Sequence, residues 1–199
     1  MKSLPRSVVV LVMIGLTLAG CGGGSSDGKA SPKATAASKA TAPSVKPADG
    51  KRMSGTGYSV AVPKGWGNPS QQIPGTEQTD LFAADLGDHD GFSSNFNVVR
   101  KAGVGTPDLD VLEEQLPDQL PKTQFTSVDV RDRSTIDGEQ AMHISFDQTV
   151  DANKSVGEQY YVFHDDQIFV VTFSYGTNTS TAERVDTAES ILASWKWDS

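Results

Sequence analysis

The sequence predicts an α+β domain in which a β-sheet of about six or seven strands packs against helices. The first observation is a series of short segments between residues 58 and 175 that are rich in strand-forming residues, several with alternating apolar and polar positions. The second is a pair of segments, 108–120 and 179–195, in which apolar residues recur at helical spacing. Residues 54–199 contain all of these segments and are numerous enough to enclose one hydrophobic core.

Three strands are predicted before the first helix. Residues 58–62 alternate and end at Pro63-Lys64-Gly65-Trp66, a turn sequence whose tryptophan we assign to the core. Residues 79–86 form a short second strand, and residues 95–101 form the third. An acidic turn at residues 87–91 separates the second strand from the third.

The two helical segments have recognisable ends. Thr106 or Asp108 can cap the first helix, and Pro117, which lacks a backbone donor, predicts that this helix is kinked or ends early. Ser180 or Thr181 can cap the second helix. Its predicted buried stripe consists of Ala182, Val185, Ala188, Ile191, Leu192 and Trp195.

The strand signals between the helices form two hairpins. Residues 125–130 and 140–150 are joined through Asp137-Gly138, a typical hairpin pair. Residues 158–175 form the strongest element, with a turn at Asp165-Asp166. Both faces of this second hairpin are apolar, which predicts a central position in the sheet with cover on both sides.

The N-terminus has the features of an export signal. Lys2 and Arg6 precede an apolar run at 8–18, which is too short to span a membrane as a helix but fits the apolar core of a signal peptide. Leu18-Ala19-Gly20-Cys21 follows and contains the only cysteine of the chain. This pattern resembles the lipobox of bacterial lipoproteins, in which the cysteine becomes the acylated first residue. An ordinary secretory signal and a membrane anchor are the alternatives.

The segment after Cys21 has the composition of a disordered tether. Residues 22–52 are rich in Gly, Ser, Ala, Thr, Pro and Lys, contain no aromatic residue and carry a net charge of +4. We therefore predict a signal peptide at 1–20, a lipidated cysteine and tether at 21–53, and one folded domain at 54–199. The tether serves as a solubilising spacer or lies near anionic lipid headgroups.

Several pieces of the domain together resemble a known family. They are residues 57–66 (Gly-Tyr-Ser-Val-Ala-Val-Pro-Lys-Gly-Trp), 95–98 (Asn-Phe-Asn-Val), 136–141 (Ile-Asp-Gly-Glu-Gln-Ala) and 168–173 (Ile-Phe-Val-Val-Thr-Phe). Their order resembles the PsbP/Mog-like fold and, more narrowly, the LpqN-type lipoproteins of actinobacteria. The resemblance implies an antiparallel sheet in an α/β/α sandwich and a domain that works by binding, as an accessory or adaptor protein. It supplies no catalytic motif, so we expect neither an enzyme nor a cofactor.

One group of residues is a candidate catalytic site. His143, Ser145 and Asp147 alternate onto one face of a predicted strand, but residues two apart on a strand lie roughly 6.5–7 Å apart, too far for direct hydrogen bonds. We therefore interpret them as the polar, partly solvated side of a strand that buries its other side.

Acidic residues offer a candidate binding surface. Asp85, Asp88 and Asp90 form a possible partner surface, and together with His89 they could bind a hard cation, although their spacing does not match an EF-hand. Solvated turn formation is the simpler explanation of these acids.

Trp195 and Trp197 are either an exposed aromatic contact site or residues that close the core.

The charge of the domain limits its partners. Residues 54–199 contain nine Lys and Arg residues against 23 Asp and Glu residues, a net charge of −14, which excludes a basic footprint for nucleic acid. The first hypothesis is a membrane-anchored, extracytoplasmic and non-catalytic adaptor for an envelope protein. The alternative is a carrier or sensor of a small apolar, lipid-like ligand in a cavity between the sheet and a helix. A hydrolase that uses Ser145 ranks last.

The lipobox predicts covalent lipidation of Cys21. Because acylation of the thiol places the protein stably on the outer face of the cytoplasmic membrane, metabolic labelling with a palmitate analogue should mark the wild type. The Cys21→Ser variant should remain unlabelled. Equal labelling of the two proteins would contradict the assignment.

Overall fold

A computed structural model describes residues 44–69, 76–88, 92–150 and 153–198 of the chain. The predicted export signal, Cys21 and most of the predicted tether lie outside the described residues, as do His89 and Asp90. In the described ranges, the helices are too short or too polar to cross a membrane.

Ten strands and two helices occur in the described residues. In chain order they are β1 (Arg52–Ser54), β2 (Tyr58–Ala61), β3 (Trp66–Gly67), β4 (Leu81–Asp85), β5 (Asn95–Ala102), α1 (Leu109–Gln119), β6 (Phe125–Ile136), β7 (Glu139–Val150), β8 (Asn153–His164), β9 (Gln167–Tyr175), α2 (Thr181–Leu192) and β10 (Lys196–Trp197).

The main sheet has seven antiparallel strands in the order β3-β4-β5-β9-β8-β7-β6. The hairpin of β8 and β9 lies near its centre and is buried on both faces, as the apolar pattern of residues 158–175 predicted. A second sheet of three antiparallel strands has the order β1-β2-β10. The expected α+β class with a mostly antiparallel sheet is therefore confirmed.

The two larger hydrophobic cores of the described residues lie on opposite faces of the main sheet. On one face, a core packs against the central strands. It contains Tyr58 and Val60 of β2, Ile191 and Leu192 of α2, and Trp195, which follows that helix. On the other face, the leucines of α1 pack against β6 to β9. The main sheet is thus the middle layer, with α1 on one side and α2 and the small sheet on the other.

Both helices begin at predicted caps. The Asp108 side chain accepts a hydrogen bond from the Asp110 backbone N–H, and the Ser180 hydroxyl accepts one from the Glu183 backbone N–H. Helix α1 ends two residues after Pro117. The predicted stripe of α2 is wrong at Ala182, which is exposed because the first turns of the helix lie away from the core.

Some strands exceed their predicted bounds. Strand β6 continues to Ile136, six residues beyond the prediction, and β8 begins at Asn153 instead of residue 158. Strand β1 begins at Arg52, just before the domain boundary predicted at residue 54, and its three residues pair with β2.

The C-terminal tryptophans belong to the core and its margin. Trp195 is buried and stacks on Tyr58 with a ring-centroid distance of 4.2 Å, while the half-buried Trp197 stacks on His164 at the same distance. Asp137, in the hairpin turn between β6 and β7, accepts hydrogen bonds from Lys196 Nζ and the Trp197 backbone N–H. These two bonds, that of Lys196 first, hold the pKa of the Asp137 carboxyl below its usual value.

A bulge in β6 connects this strand to α1. Between Arg131 and Ser134, the register with β7 shifts, so that Arg133 points to the face that α1 covers. Arg133 Nε donates to Glu113 Oε1 at 2.7 Å and Nη2 donates to Glu113 Oε2 at 2.9 Å and to Asp110. The hydrogen bond to Glu113 is the main cause that raises the pKa of the Arg133 guanidinium.

Replacement of Arg133 should loosen α1. In Arg133→Met, Glu113 loses its partner while it is only 17% exposed, and we expect the free energy of unfolding to fall by about 1–3 kcal/mol. The control is Lys122→Met, which removes an ion pair with Asp118 whose two side chains are 74% and 83% exposed and which should contribute less than about 1 kcal/mol. Urea unfolding of the full chain measures both. Equal decreases in the free energy of unfolding would show that the contact of Arg133 with α1 stabilises the fold no more than an exposed ion pair does.

Candidate functional site

A cleft lies at one edge of the main sheet, between the turn that precedes β3, the end of β4 and the first half of α2. Its volume is about 290 Å³. We call this feature the acidic cleft because, among the residues that the structure describes, three carboxylates and no basic side chain line it. The lining residues are Pro63, Trp66, Asp85, Asp88, Ser94, Tyr175, Asn178, Thr179, Glu183 and Thr187.

A tight turn positions the aromatic wall of the cleft. The Trp66 backbone N–H donates to the Pro63 carbonyl at 3.1 Å, and Gly65 has a φ of +91°. These are the features of a type II turn, whose third residue needs a positive φ and is therefore usually glycine. Directly after the turn, Trp66 pairs with Asp85 across β3 and β4, which brings an indole and a carboxylate to the same face.

Local hydrogen bonds orient the two aspartates. Asp85 Oδ1 accepts from the Gly87 backbone N–H at 2.9 Å. Asp88 Oδ2 accepts from the backbone N–H and the hydroxyl of Ser94, at 3.2 and 3.4 Å. The structure therefore brings two of the three predicted partner-surface residues into one cleft, and Asp90 falls outside the residues it describes.

Helix α2 supplies the opposite wall. Ser180 caps the helix, which places Glu183 in its first turn, where a negative charge is favourable, and Thr187 one turn later. Sequence reasoning missed Glu183 and Trp66 as site residues, because they come from segments far apart in the chain. Within the described ranges, no group of three or more His, Cys, Asp or Glu residues could hold a metal ion.

The candidate hydrolase residues do not form a connected triad. His143 Nε2 bonds to Glu158 Oε2 at 2.9 Å, and Ser145 Oγ accepts from Arg131 Nε at 3.0 Å, while Asp147 is exposed. The expectation of a partly solvated face was wrong for His143 and Ser145, which are buried, because α2 and β6 supply cover and partners that the alternating pattern does not show.

Glu158 is the centre of a buried polar network that the sequence analysis did not identify. Its side chain has no exposed surface, and Arg184 Nε of α2 donates to Oε1 at 3.1 Å. The His143 ring, which bonds to the other carboxylate oxygen, stacks on Tyr160 with a centroid distance of 4.1 Å. Burial, with Glu158 as the next cause, raises the pKa of Tyr160 well above its ordinary value. The available signal was a charged residue in a hairpin that the sequence predicts to be covered on both faces.

The interface required by the carrier hypothesis is occupied by side chains. Ile191, Leu192 and Trp195 are at most 1% exposed and pack with Phe169 and Phe173 of β9 in one core. This packing gives no observation in favour of a lipid-like ligand between α2 and the sheet.

The turn before the cleft supports a test of its geometry. Alanine at position 65 would have to adopt a positive φ, so we expect Gly65→Ala to lower the free energy of unfolding by about 1–2 kcal/mol. Gly67→Ala is the control, because a Cβ there would lie in ordinary contact with Leu86 Cδ1 at 3.5 Å. Thermal or urea unfolding should show a loss only for Gly65→Ala. An equal effect of both changes would disprove the assigned turn.

Neither a protein-family model nor a curated protein matches the sequence, whereas solved structures do. The solution structure of the cyanobacterial PsbP protein of Synechocystis matches with 16% identity over 74% of this chain and 92% of that chain, with a TM-score of 0.51. LpqN of Mycobacterium tuberculosis, described as involved in cell envelope biogenesis, matches with 13% identity over 73% and 83% of the two chains and a TM-score of 0.47.

A third match, from Bacteroides thetaiotaomicron, has 13% identity and a TM-score of 0.49 and covers 75% of this chain. The chain spans about half the length of that protein, 49% of it. At these identities the likeness concerns the fold. The match to the Synechocystis protein confirms that residues of this chain adopt the PsbP-like α+β fold that the sequence pieces resembled.

Proposed function

We propose that the protein is a lipid-anchored, extracytoplasmic binding module that recruits an envelope protein through a basic segment of that partner. The observation that carries the proposal is the acidic cleft. Carboxylates from β4, from the loop after β4 and from α2 line it, and its described lining residues include no Lys or Arg. A lysine or arginine side chain is the complementary group.

The wall of the cleft suits such a side chain. Trp66 lines the cleft with the 9% of its surface that stays exposed and pairs with Asp85 of the neighbouring strand, so a cation held by the carboxylate would lie close to an aromatic ring. Aromatic rings attract Lys and Arg through their faces, and the effect adds to the ion pair. A single extended basic side chain fits a volume of about 290 Å³ better than a folded surface does.

The charge of the domain supports the same class of partner. A net charge of −14 over residues 54–199 produces a negative potential that attracts a basic segment before contact. The predicted anchor at Cys21 and the predicted tether would hold this potential near the membrane, within reach of envelope proteins.

The buried polar groups support a non-catalytic role. His143, the histidine of the candidate hydrolase site, bonds to Glu158, and Glu158 is shared with Arg184. These side chains fasten α2 to the sheet and lie under the surface. The acidic cleft itself contains carboxylates that already accept hydrogen bonds from their own loop.

Binding of a lysine peptide tests the proposal. We expect the full chain in zwitterionic detergent to bind a short peptide with two lysines and to ignore the same peptide with two glutamates. Each carboxylate removed in Asp85→Asn/Asp88→Asn should weaken binding about two- to fivefold, since exposed ion pairs contribute up to about 1 kcal/mol. Isothermal titration calorimetry at low salt measures the affinities.

The matched control removes the same number of charges at the opposite edge of the sheet. Asp129 and Asp132 lie on β6 and are exposed, so Asp129→Asn/Asp132→Asn should change the affinity by less than about twofold through the general field alone. Equal losses of affinity in the two double variants would show that net charge, and not the acidic cleft, accounts for binding of the peptide. Equal binding of lysine and glutamate peptides would refute the proposal.

A further inference from the structure

Helix α2 is attached to the sheet unevenly along its length. Its buried side chains, Ala188, Ile191 and Leu192, all belong to its last five residues. Each residue of the segment 181–187 is exposed or only half-buried. Burial of apolar surface is the main attraction between a helix and a sheet. The first half of α2 therefore lacks the interaction that holds its second half.

A polar contact attaches this first half of α2 to the sheet. Arg184, in the middle of this segment, donates from Nε to Glu158 Oε1 at 3.1 Å, and its side chain is only 13% exposed. The Tyr175 hydroxyl donates to the Arg184 carbonyl at 3.0 Å. Ion pairs with a buried partner are strong while they are formed, because separation leaves a charge in a poorly solvated place.

Glu158 can release Arg184 without losing every partner. Its second carboxylate oxygen bonds to His143 Nε2 at 2.9 Å, and stacking on Tyr160 holds the His143 ring in place. When Arg184 moves away, this bond remains, so the buried carboxylate keeps one donor. A second arrangement, in which Glu158 keeps His143 as its partner, is therefore available to this network and is not available to an isolated buried ion pair.

We propose that the Arg184–Glu158 pair is a latch and that residues 181–187 form a hinged wall of the acidic cleft. Glu183 and Thr187 lie on this segment and line the cleft. Release of Arg184 moves these two side chains outward while Ile191 and Leu192 stay packed against the sheet. The cleft then admits more of a partner segment than its closed volume allows. Only this gating role depends on the proposed function; the local opening does not.

Hydrogen exchange of the full chain in detergent tests the latch. In Arg184→Met, which keeps the length of the side chain without its charge, backbone amides 185–187 should exchange at least about tenfold faster than in the wild type. The amides of Ile191, Leu192 and β9 should stay within about twofold. Arg131→Met, which removes a guanidinium from β6 instead, should leave all α2 amides unchanged.

Two outcomes would overturn the latch: unchanged exchange at 185–187, or the same acceleration in α2 and β9, which indicates global destabilisation. If Arg184→Met does not fold, Arg184→Lys should give the same local pattern with a smaller acceleration. Binding of the lysine peptide distinguishes the latch from the proposed function. Local opening in a protein that binds no peptide supports the latch and refutes the proposed function.

Discussion

Burial of β8 and β9 on both faces is the constraint on which the rest of the fold depends. Residues Ile168–Tyr175 and most of β8 are buried, so neither face of the sheet centre can be left to water. One cover layer is α1. The other needs both α2 and the small sheet, because α2 buries side chains only in its second half. The acidic cleft lies where this second layer is incomplete.

The buried polar residues of β8 help to fix the register of the sheet. Glu158 faces α2 and bonds to Arg184 and His143, whereas Gln159 faces the α1 side, where its Nε2 donates to Thr172 Oγ1 at 2.6 Å. A slip of one residue would exchange the two side chains between faces and leave both without partners. Apolar neighbours alone would not penalise such a slip as strongly, because apolar side chains pack against many alternatives.

The sequence predicts the elements whose pattern is local. The β8–β9 hairpin, the caps of both helices and the turn at 63–66 follow from composition, and the structure confirms them. The later part of β6 was missed because residues 131–135 are mostly polar, as an edge strand with a bulge allows. Strands β1 and β10 exist only because β2 pairs with them, and no pattern of two or three residues can reveal such pairing.

Only the part of the candidate site that is local in the sequence could be predicted. Asp85 and Asp88 occur in one acidic turn, so their proximity follows from the sequence. Glu183 lines the same cleft only because of the packing of α2, and Trp66 only because of the pairing of β3 with β4. His143 and Ser145 were placed on a solvated face because alternation identifies faces but does not say what covers each of them.

The arrangement of donors in the acidic cleft explains how like charges are kept together there. Asp85 accepts from the Gly87 amide, Asp88 from Ser94, and Glu183 lies at the positive end of α2, so each charge has a local compensation. An ionised carboxylate can accept about four hydrogen bonds, and the bond from Gly87 therefore leaves acceptor capacity at Asp85 for a cation. A basic side chain that enters the cleft can add its bonds without breaking those of the loop, so the fold itself orients the acids for binding.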